Sequence, residues 1–244
     1  MSGQVLVLGG TGEARRLAAA LVAAGVDVLS SLAGRVADPV LPEGDVRVGG
    51  FGGAHGLADW LATHRPRAVV DATHPFAARI TASAASAAAR NGTPLLRLHR
   101  PGWTPGPGDR WTHVDSLDDA ARAVHDAGTV FLTTGRQGVG AFAALPGRVL
   151  VRAVDPPDEP LPAGAVLLLA RGPFTVDEEA ALMREHGVDV VVTKDSGGSM
   201  TEAKLVAARR LRLPVVLVRR PALPAGVEVV TTVEEAVTWV TRTA

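Results

Sequence analysis

The apolar run Val5-Leu6-Val7-Leu8, closed by Gly9-Gly10-Thr11-Gly12-Glu13 and continued at once by Ala14-Arg15-Arg16-Leu17-Ala18-Ala19-Ala20-Leu21, constrains the fold more than any other segment. Four apolar residues without alternation suit a parallel strand covered on both faces. The alanine- and leucine-rich run has helical spacing and high helix propensity. Strand, glycine turn and helix in that order let a ligand approach the backbone closely. The first amides of such a helix lack internal partners and present the positive end of its dipole to an anion. A dinucleotide pyrophosphate is the natural ligand, and Gly9, Gly10, Thr11, Gly12 and Glu13 are the residues expected to hold it. Gly10-Thr11-Gly12 matches the first half of the G-x-G-x-x-G fingerprint, but Arg15 stands where the third glycine belongs, so the loop is a variant. The alternative is a tight turn with no ligand.

Composition removes several other chemistries. The 25 basic and 25 acidic side chains cancel, so no global field favours nucleic acid or an acidic membrane. There is no cysteine, hence no disulfide, thiol nucleophile or zinc-thiolate site. There is no tyrosine, which excludes the Tyr-x-x-x-Lys proton relay of short-chain dehydrogenases. The seven histidines never fall three or four apart, so no protein-held metal is expected. Neither a G-x-S-x-G elbow nor a G-x-x-x-x-G-K-[ST] loop is present. No basic-then-apolar leader and no membrane-length apolar run occur, so a cytoplasmic location is expected and no membrane partner. Oligomeric state is not readable from the chain.

Further apolar runs predict strands at Val26-Leu32, Ala68-Asp71, Leu95-Leu98, Thr129-Thr133, Val149-Val151, Val166-Leu169, Val188-Thr193 and Val215-Val218, most of them separated by helical stretches. Capping-box patterns mark helix starts at Ser116-x-x-Asp119, Thr175-x-x-Glu178, Ser199-x-x-Glu202 and Thr232-x-x-Glu235. The segment Pro101-Gly102-Trp103-Thr104-Pro105-Gly106-Pro107-Gly108 tolerates neither helix nor central strand. The expected organisation is α/β, with two Rossmann-like domains of mostly parallel sheet and a cleft between them: 1–100 binding the nucleotide, 101–110 a linker, and 111–244 the second domain.

Ligands of such sheets collect beyond the carboxyl ends of the strands, and three polar segments stand there. In Asp71-Ala72-Thr73-His74-Pro75-Phe76-Ala77, Pro75 is expected in the first turn of a helix through Ala77-Ala89, leaving Thr73 and His74 toward the cofactor. Thr134, Gly135 and Arg136 form a compact anion-binding set, or else an ordinary strand-to-helix turn. In Lys194-Asp195-Ser196-Gly197-Gly198-Ser199, the double glycine allows close approach before a helix start, with Lys194, Asp195 and Ser196 as catalytic candidates. The second strand offers Ser30, Ser31 and then Arg35 where an NAD site places a carboxylate, which suits a 2′-phosphate and favours NADPH.

Read together, Gly9 to Glu13, Asp71 to Ala77, Arg97 through Arg100-Pro101-Gly102-Trp103, Thr133 to Arg136, Gly172-Pro173-Phe174, Lys194 to Gly198 and Ala203-Lys204-Leu205 resemble the precorrin-6A reductase family of cobalamin biosynthesis over essentially the whole chain. The resemblance implies an oxidoreductase that uses NADPH to reduce one double bond of the precorrin-6A tetrapyrrole, giving precorrin-6B. Alternatives are the cobalt-containing substrate of the anaerobic pathway, or a non-catalytic NADPH-binding protein. The macrocycle's carboxylates call for basic groups, and Arg79, Arg97, Arg100, Arg136, Gly135, Thr134, Gly197 and Gly198 are the expected contacts. The proton is left to Lys194, Asp195, His74 or a bound water.

Overall fold

The computed structural model describes residues 3–34 and 40–243. It divides into two compact units, one made of residues 1–101 with 221–244 and the other of residues 102–220. The first runs β1 (Val5–Leu8), α1 (Gly12–Ala23), β2 (Val28–Leu32), β3 (Asp45–Val48), α2 (Gly53–His64), β4 (Ala68–Asp71), α3 (Ala78–Asn91) and β5 (Leu95–Leu98). The second runs β6 (Trp111–Val114), α4 (Leu117–Ala123), β7 (Thr129–Leu132), β8 (Arg148–Ala153), β9 (Val166–Leu169), α5 (Val176–Glu185), β10 (Val190–Lys194), α6 (Ala203–Arg210) and β11 (Val215–Val218). The chain then returns to the first unit with β12 (Glu228–Val230) and α7 (Val233–Arg242).

Each unit holds a six-stranded parallel sheet, ordered β12-β5-β4-β1-β2-β3 and β6-β11-β10-β7-β8-β9. Both orders reverse direction beside a central strand, the pattern of doubly wound nucleotide-binding sheets. Their sixth strands are exchanged. β6 follows β5 in sequence but joins the second sheet, and β12 follows β11 but joins the first. The expected contiguous second domain, 111–244, is therefore corrected at its end, because 221–244 pair with β5 and pack on α1. Of the segment expected as a linker, 101–110, all but Pro101 belongs to the second unit. Its composition prevents regular structure but not anchoring, since Asp109 accepts from Gly106 N at 2.7 Å and pairs with Arg209 at 2.7 Å.

Burial explains which strands the apolar pattern found. On β1, Val5 and Val7 pack with Leu17, Leu21 and Trp239, while Leu6 and Leu8 pack with Leu57, Leu61 and Val69, so both faces are covered. The second core gathers Phe131, Leu150, Met183, Val191, Leu205 and Leu217. Three strands escaped the sequence reading, β3, β6 and β12. All are sheet edges with no fully buried residue, where a continuous apolar run is not required.

The capping boxes at Thr175/Glu178 and Thr232/Glu235 are complete, and Ser116 accepts from Asp119 N. Ser199 does not cap a helix. Residues Ser199–Thr201 wind into a 3₁₀ turn and α6 starts at Ala203 without a side-chain cap. Pro75 likewise lies in a turn before α3 rather than in its first turn; Ala77 N donates to the His74 carbonyl and caps that turn. Among the described residues no helix is long and apolar enough to cross a membrane.

Candidate active site

In the first unit the turn between β1 and α1 is held at its strand end by backbone bonds to both neighbouring strands' ends. Gly9 N donates to the Ser31 carbonyl at 3.0 Å and Ala72 N to the Leu8 carbonyl at 3.0 Å. Thr11 is the N-cap of α1, its Oγ1 accepting from Ala14 N at 3.0 Å while donating to the Ala72 carbonyl at 2.8 Å. Its hydroxyl is thus committed to the turn. Gly10 is exposed at φ +107°, and a Cβ built on it would meet no atom within 4 Å. The backbone there faces open space, the cradle a phosphate requires. Glu13 does not face that space alone: its Oε2 accepts from Arg100 Nη1 at 2.6 Å, so a residue expected at the cofactor and one expected at the substrate form an ion pair.

A buried network fixes the neighbouring turn. Asp71, the last residue of β4, stands opposite Arg97 of β5. The two side chains are 2% and 1% exposed and 2.6 Å apart. Asp71 Oδ1 also accepts from Thr73 N and Thr73 Oγ1, and Oδ2 from Thr81 Oγ1. Arg97 donates further to the Asp71 and His74 carbonyls and to Thr73 Oγ1. Burial lowers the Arg97 pKa from its ordinary value against the opposing pull of Asp71. Arg97, expected as a substrate contact, is consequently buried in the sheet, where its hydrogen bonds hold the turn carrying Thr73 and His74. His74 Nδ1 accepts from Phe76 N at 3.2 Å. Arg79, in the first turn of α3, is exposed.

At the end of β2, Ser30 is 2% exposed with an unpartnered Oγ, and Ser31 accepts from Arg47 Nη1 at 2.7 Å. Arg47 lies opposite Ser31 on β3, donates to the Gly49 and Gly50 carbonyls, and stacks 3.9 Å from the Phe51 ring centroid. Arg35 lies outside the described residues. Arg47 is a basic group beside Ser31 that the apolar pattern does not single out, because it sits on an edge strand.

In the second unit, Lys194 closes β10 and is half-buried, with Nζ donating to the Thr134 carbonyl at 2.8 Å. It ties the β10 end to the β7 end. Burial lowers its pKa, opposed by the Glu159 carboxylate, which itself accepts from Gly138 N and Gly140 N. Thr134 is buried with an unpartnered Oγ1, Gly135 has open space beside it, and Arg136 stands 3.8 Å from Asp158. Asp195 does not pair with Lys194. Its Oδ1 accepts from Trp103 N at 3.1 Å, Arg220 Nε donates to its carbonyl at 2.7 Å, and Trp103 Nε1 donates to the Gly198 carbonyl at 3.0 Å. Gly102 lies close against this loop: a Cβ there would stand 2.6 Å from Asp195 Oδ2 and would have to displace that carboxylate. Ser196 N donates to the Lys194 carbonyl at 2.6 Å, and Gly197 and Gly198 take φ of +64° and +75°.

The family profile described as "Precorrin-6x reductase CbiJ/CobK" matches residues 4–241. A precorrin-6A reductase of Rhodococcus erythropolis is 59% identical over 240 residues, 97% of each chain. A cobalt-precorrin-6A reductase of Priestia megaterium is 33% identical over 249 residues, 96% of each. The solved structure titled "CobK precorrin-6A reductase" superposes with a TM-score of 0.93 at 45% identity, covering 99% of this chain and 97% of that one.

Proposed function

The chain belongs to the precorrin-6x reductase family, and from that premise we propose that it reduces precorrin-6A in cobalamin biosynthesis, with NADPH as reductant. The observation that carries the cofactor half is the open, positive-φ backbone at Gly10 set directly before the N-terminus of α1. The 59% identity to a precorrin-6A reductase, against 33% to a cobalt-precorrin-6A reductase, carries the substrate half.

The residues present fit the cofactor. The amides of Gly10 to Glu13 suit the pyrophosphate, and Arg47 with Ser31 suits the 2′-phosphate, a charged fork already oriented by three acceptors. When bound, NADPH supplies the hydride. The chain's own tasks are to hold the macrocycle, neutralise its carboxylates and deliver one proton. The turn with Thr73 and His74, made rigid by Asp71 and Arg97, is assigned to the nicotinamide end. Thr134 to Arg136 and the Lys194 to Gly198 loop are assigned to the substrate. Lys194 is our proton donor: burial makes its ammonium more acidic than a free lysine, and the Thr134 carbonyl aims its Nζ. Asp195 and Ser196 are positioning residues, since Asp195 fixes the loop through Trp103 N.

The decisive experiment incubates the protein with NADPH and precorrin-6A, following cofactor absorbance and product mass together, with cobalt-precorrin-6A in parallel. Oxidation of NADPH with a gain of two hydrogens in precorrin-6A alone supports the proposal. Preferential turnover of the cobalt compound moves the assignment to the anaerobic branch, and cofactor binding without oxidation would falsify the enzymatic reading.

A further inference from the structure

A cavity of about 180 Å³ opens in the second unit, lined in part by Thr133, Gly135, Arg152, Phe174, Glu179 and Lys204. Three of these groups ionise, and all are buried: the side chains of Arg152 and Glu179 are 10% and 3% exposed, and Lys204 as a residue 5%. Arg152 of β8 meets Glu179 of α5 through two hydrogen bonds of 2.7 and 3.1 Å, so these two charges cancel. The Arg152 guanidinium is held in place 4.0 Å from the Phe174 ring centroid and 5.0 Å from that of Phe131.

Lys204 of α6 has no such partner. Its Nζ donates to the Thr201 carbonyl at 2.5 Å and stands 5.1 Å from the centroid of the Trp103 ring. Neither group carries a formal negative charge, and no carboxylate among the described residues forms an ion pair with it. With Lys204 protonated, the three ionisable side chains of the cavity wall therefore carry one net positive charge, an arrangement that apolar packing would not need. Lysine is used sparingly in this chain. Among 25 basic residues only Lys194 and Lys204 are lysines, the rest being arginines.

We propose that this cavity is a carboxylate-binding pocket, with Lys204 as its cationic group beside the neutralised Arg152–Glu179 pair. A monoanionic carboxylate cancels the single excess charge, whereas a dianionic phosphate would leave the pocket negative. The volume suits an acetate- or propionate-sized group. Its source is either an arm of the tetrapyrrole, in which case the inference rests on the proposed function, or a free small carboxylate. Burial first, then repulsion from Arg152, lowers Lys204 to about 7, with Glu179 opposing. An entering carboxylate reverses that balance, so binding takes up a proton above pH 7 and weakens as pH rises through that value.

With only two lysines, lysine-¹³Cε labelling of the intact protein gives two side-chain signals, assigned by loss of one in Lys204→Met. Propionate added at pH 8, with chloride as the ionic control, is expected to move the Lys204 signal toward its ammonium position and raise its titration midpoint by about one unit or more. The same shift on adding precorrin-6A assigns the ligand to the macrocycle; a shift with propionate alone assigns it to a free carboxylate. In the first case Lys204→Met raises the KM for precorrin-6A about tenfold with kcat and NADPH affinity unchanged. No shift with either probe, or one needing more than about 0.1 M propionate, overturns the pocket. The resonance readout needs no turnover, so it stands even where the reductase assignment fails.

Discussion

The two units use one strand order to build different turns at the same place. In the first, the central strand β1 passes through three turn residues, Gly9, Gly10 and Thr11, into the twelve-residue helix α1, whose amino end is capped by Thr11 and open at Gly10. In the second, the central strand β7 leads through Thr133 to Gly138 into a four-residue 3₁₀ turn, Val139–Phe142, with no α-helix behind it. Only the first can offer an anion a full helix end. Buried charge differs in the same way: Asp71 and Arg97 neutralise each other in the first unit, whereas Arg152, Glu179 and Lys204 leave one charge over in the second. A shared fold thus presents different turns and different balances of buried charge, because these are set by loops and side chains and not by the sheet.

The contrast between balanced and unbalanced buried charge predicts the largest effect. Arg97→Leu leaves Asp71 buried without its partner and should cost about 3–5 kcal/mol of unfolding free energy, read by denaturant titration. Lys204→Met removes a buried amine that forms no ion pair among the described residues and whose charge burial disfavours, and it should not destabilise. The sign is set by linkage: the folded pKa of about 7 lies below the ordinary 10.5, so between those values the unfolded chain holds the extra proton. Wild-type stability therefore falls as pH drops from about 10.5 to about 7 and is level below. The advantage of Lys204→Met should grow over the same window. Equal losses for the two variants would erase the distinction between the units.

Next in size is the cofactor end. Arg47→Ala removes a charge-assisted contact to the proposed 2′-phosphate and should weaken NADPH by roughly 1.5–3 kcal/mol while leaving NADH nearly unchanged. Arg136→Ala, at the corresponding end of the second sheet, should alter neither. Titration of both nucleotides by fluorescence checks the pair, and equal losses on NADPH and NADH would remove Arg47 from the 2′-phosphate.

What could be read from the chain follows the range of the interactions involved. The bounds of β1, β4, β5, β9 and β11 match their apolar runs, since a covered strand writes its burial into consecutive residues. The glycine turn was readable for the same reason. The buried and half-buried polar pairings join residues far apart: Asp71 with Arg97, Ser31 with Arg47, and Arg152 with Glu179 meet only through sheet register or helix packing. Lys204 left one local trace, a lysine on the face of α6 that also buries Leu205, Ala207 and Ala208. The exchange of β6 and β12 left none, because an edge strand of either sheet has the same half-polar composition.

The smallest predicted effect tests that exchange. α7 is the element that fixes β12 to the first unit: Ala236, Trp239 and Val240 pack with Leu17 and Leu21, and Trp239 Nε1 donates to Glu228 Oε2 at 2.7 Å. Its start depends on a box in which Thr232 Oγ1 accepts from Glu235 N at 3.2 Å while the Glu235 carboxylate accepts from Thr232 N at 3.1 Å. Thr232→Ala opens one side of that box and should lower stability by about 1 kcal/mol. Hydrogen exchange should quicken first in α7 and β12 and leave α4, which is capped by Ser116 after the other exchanged strand, at its wild-type rate. The hydrogen bonds to the backbone amides of Thr231 and Thr232 hold the Glu235 pKa below its ordinary value. Its contribution is therefore present above the ordinary carboxylate range and is lost as pH falls through the depressed value, so acid should shrink the wild-type protection of α7. Were Thr232→Ala to quicken exchange in α4 as much as in α7, the caps would not be holding the two exchanged strands separately.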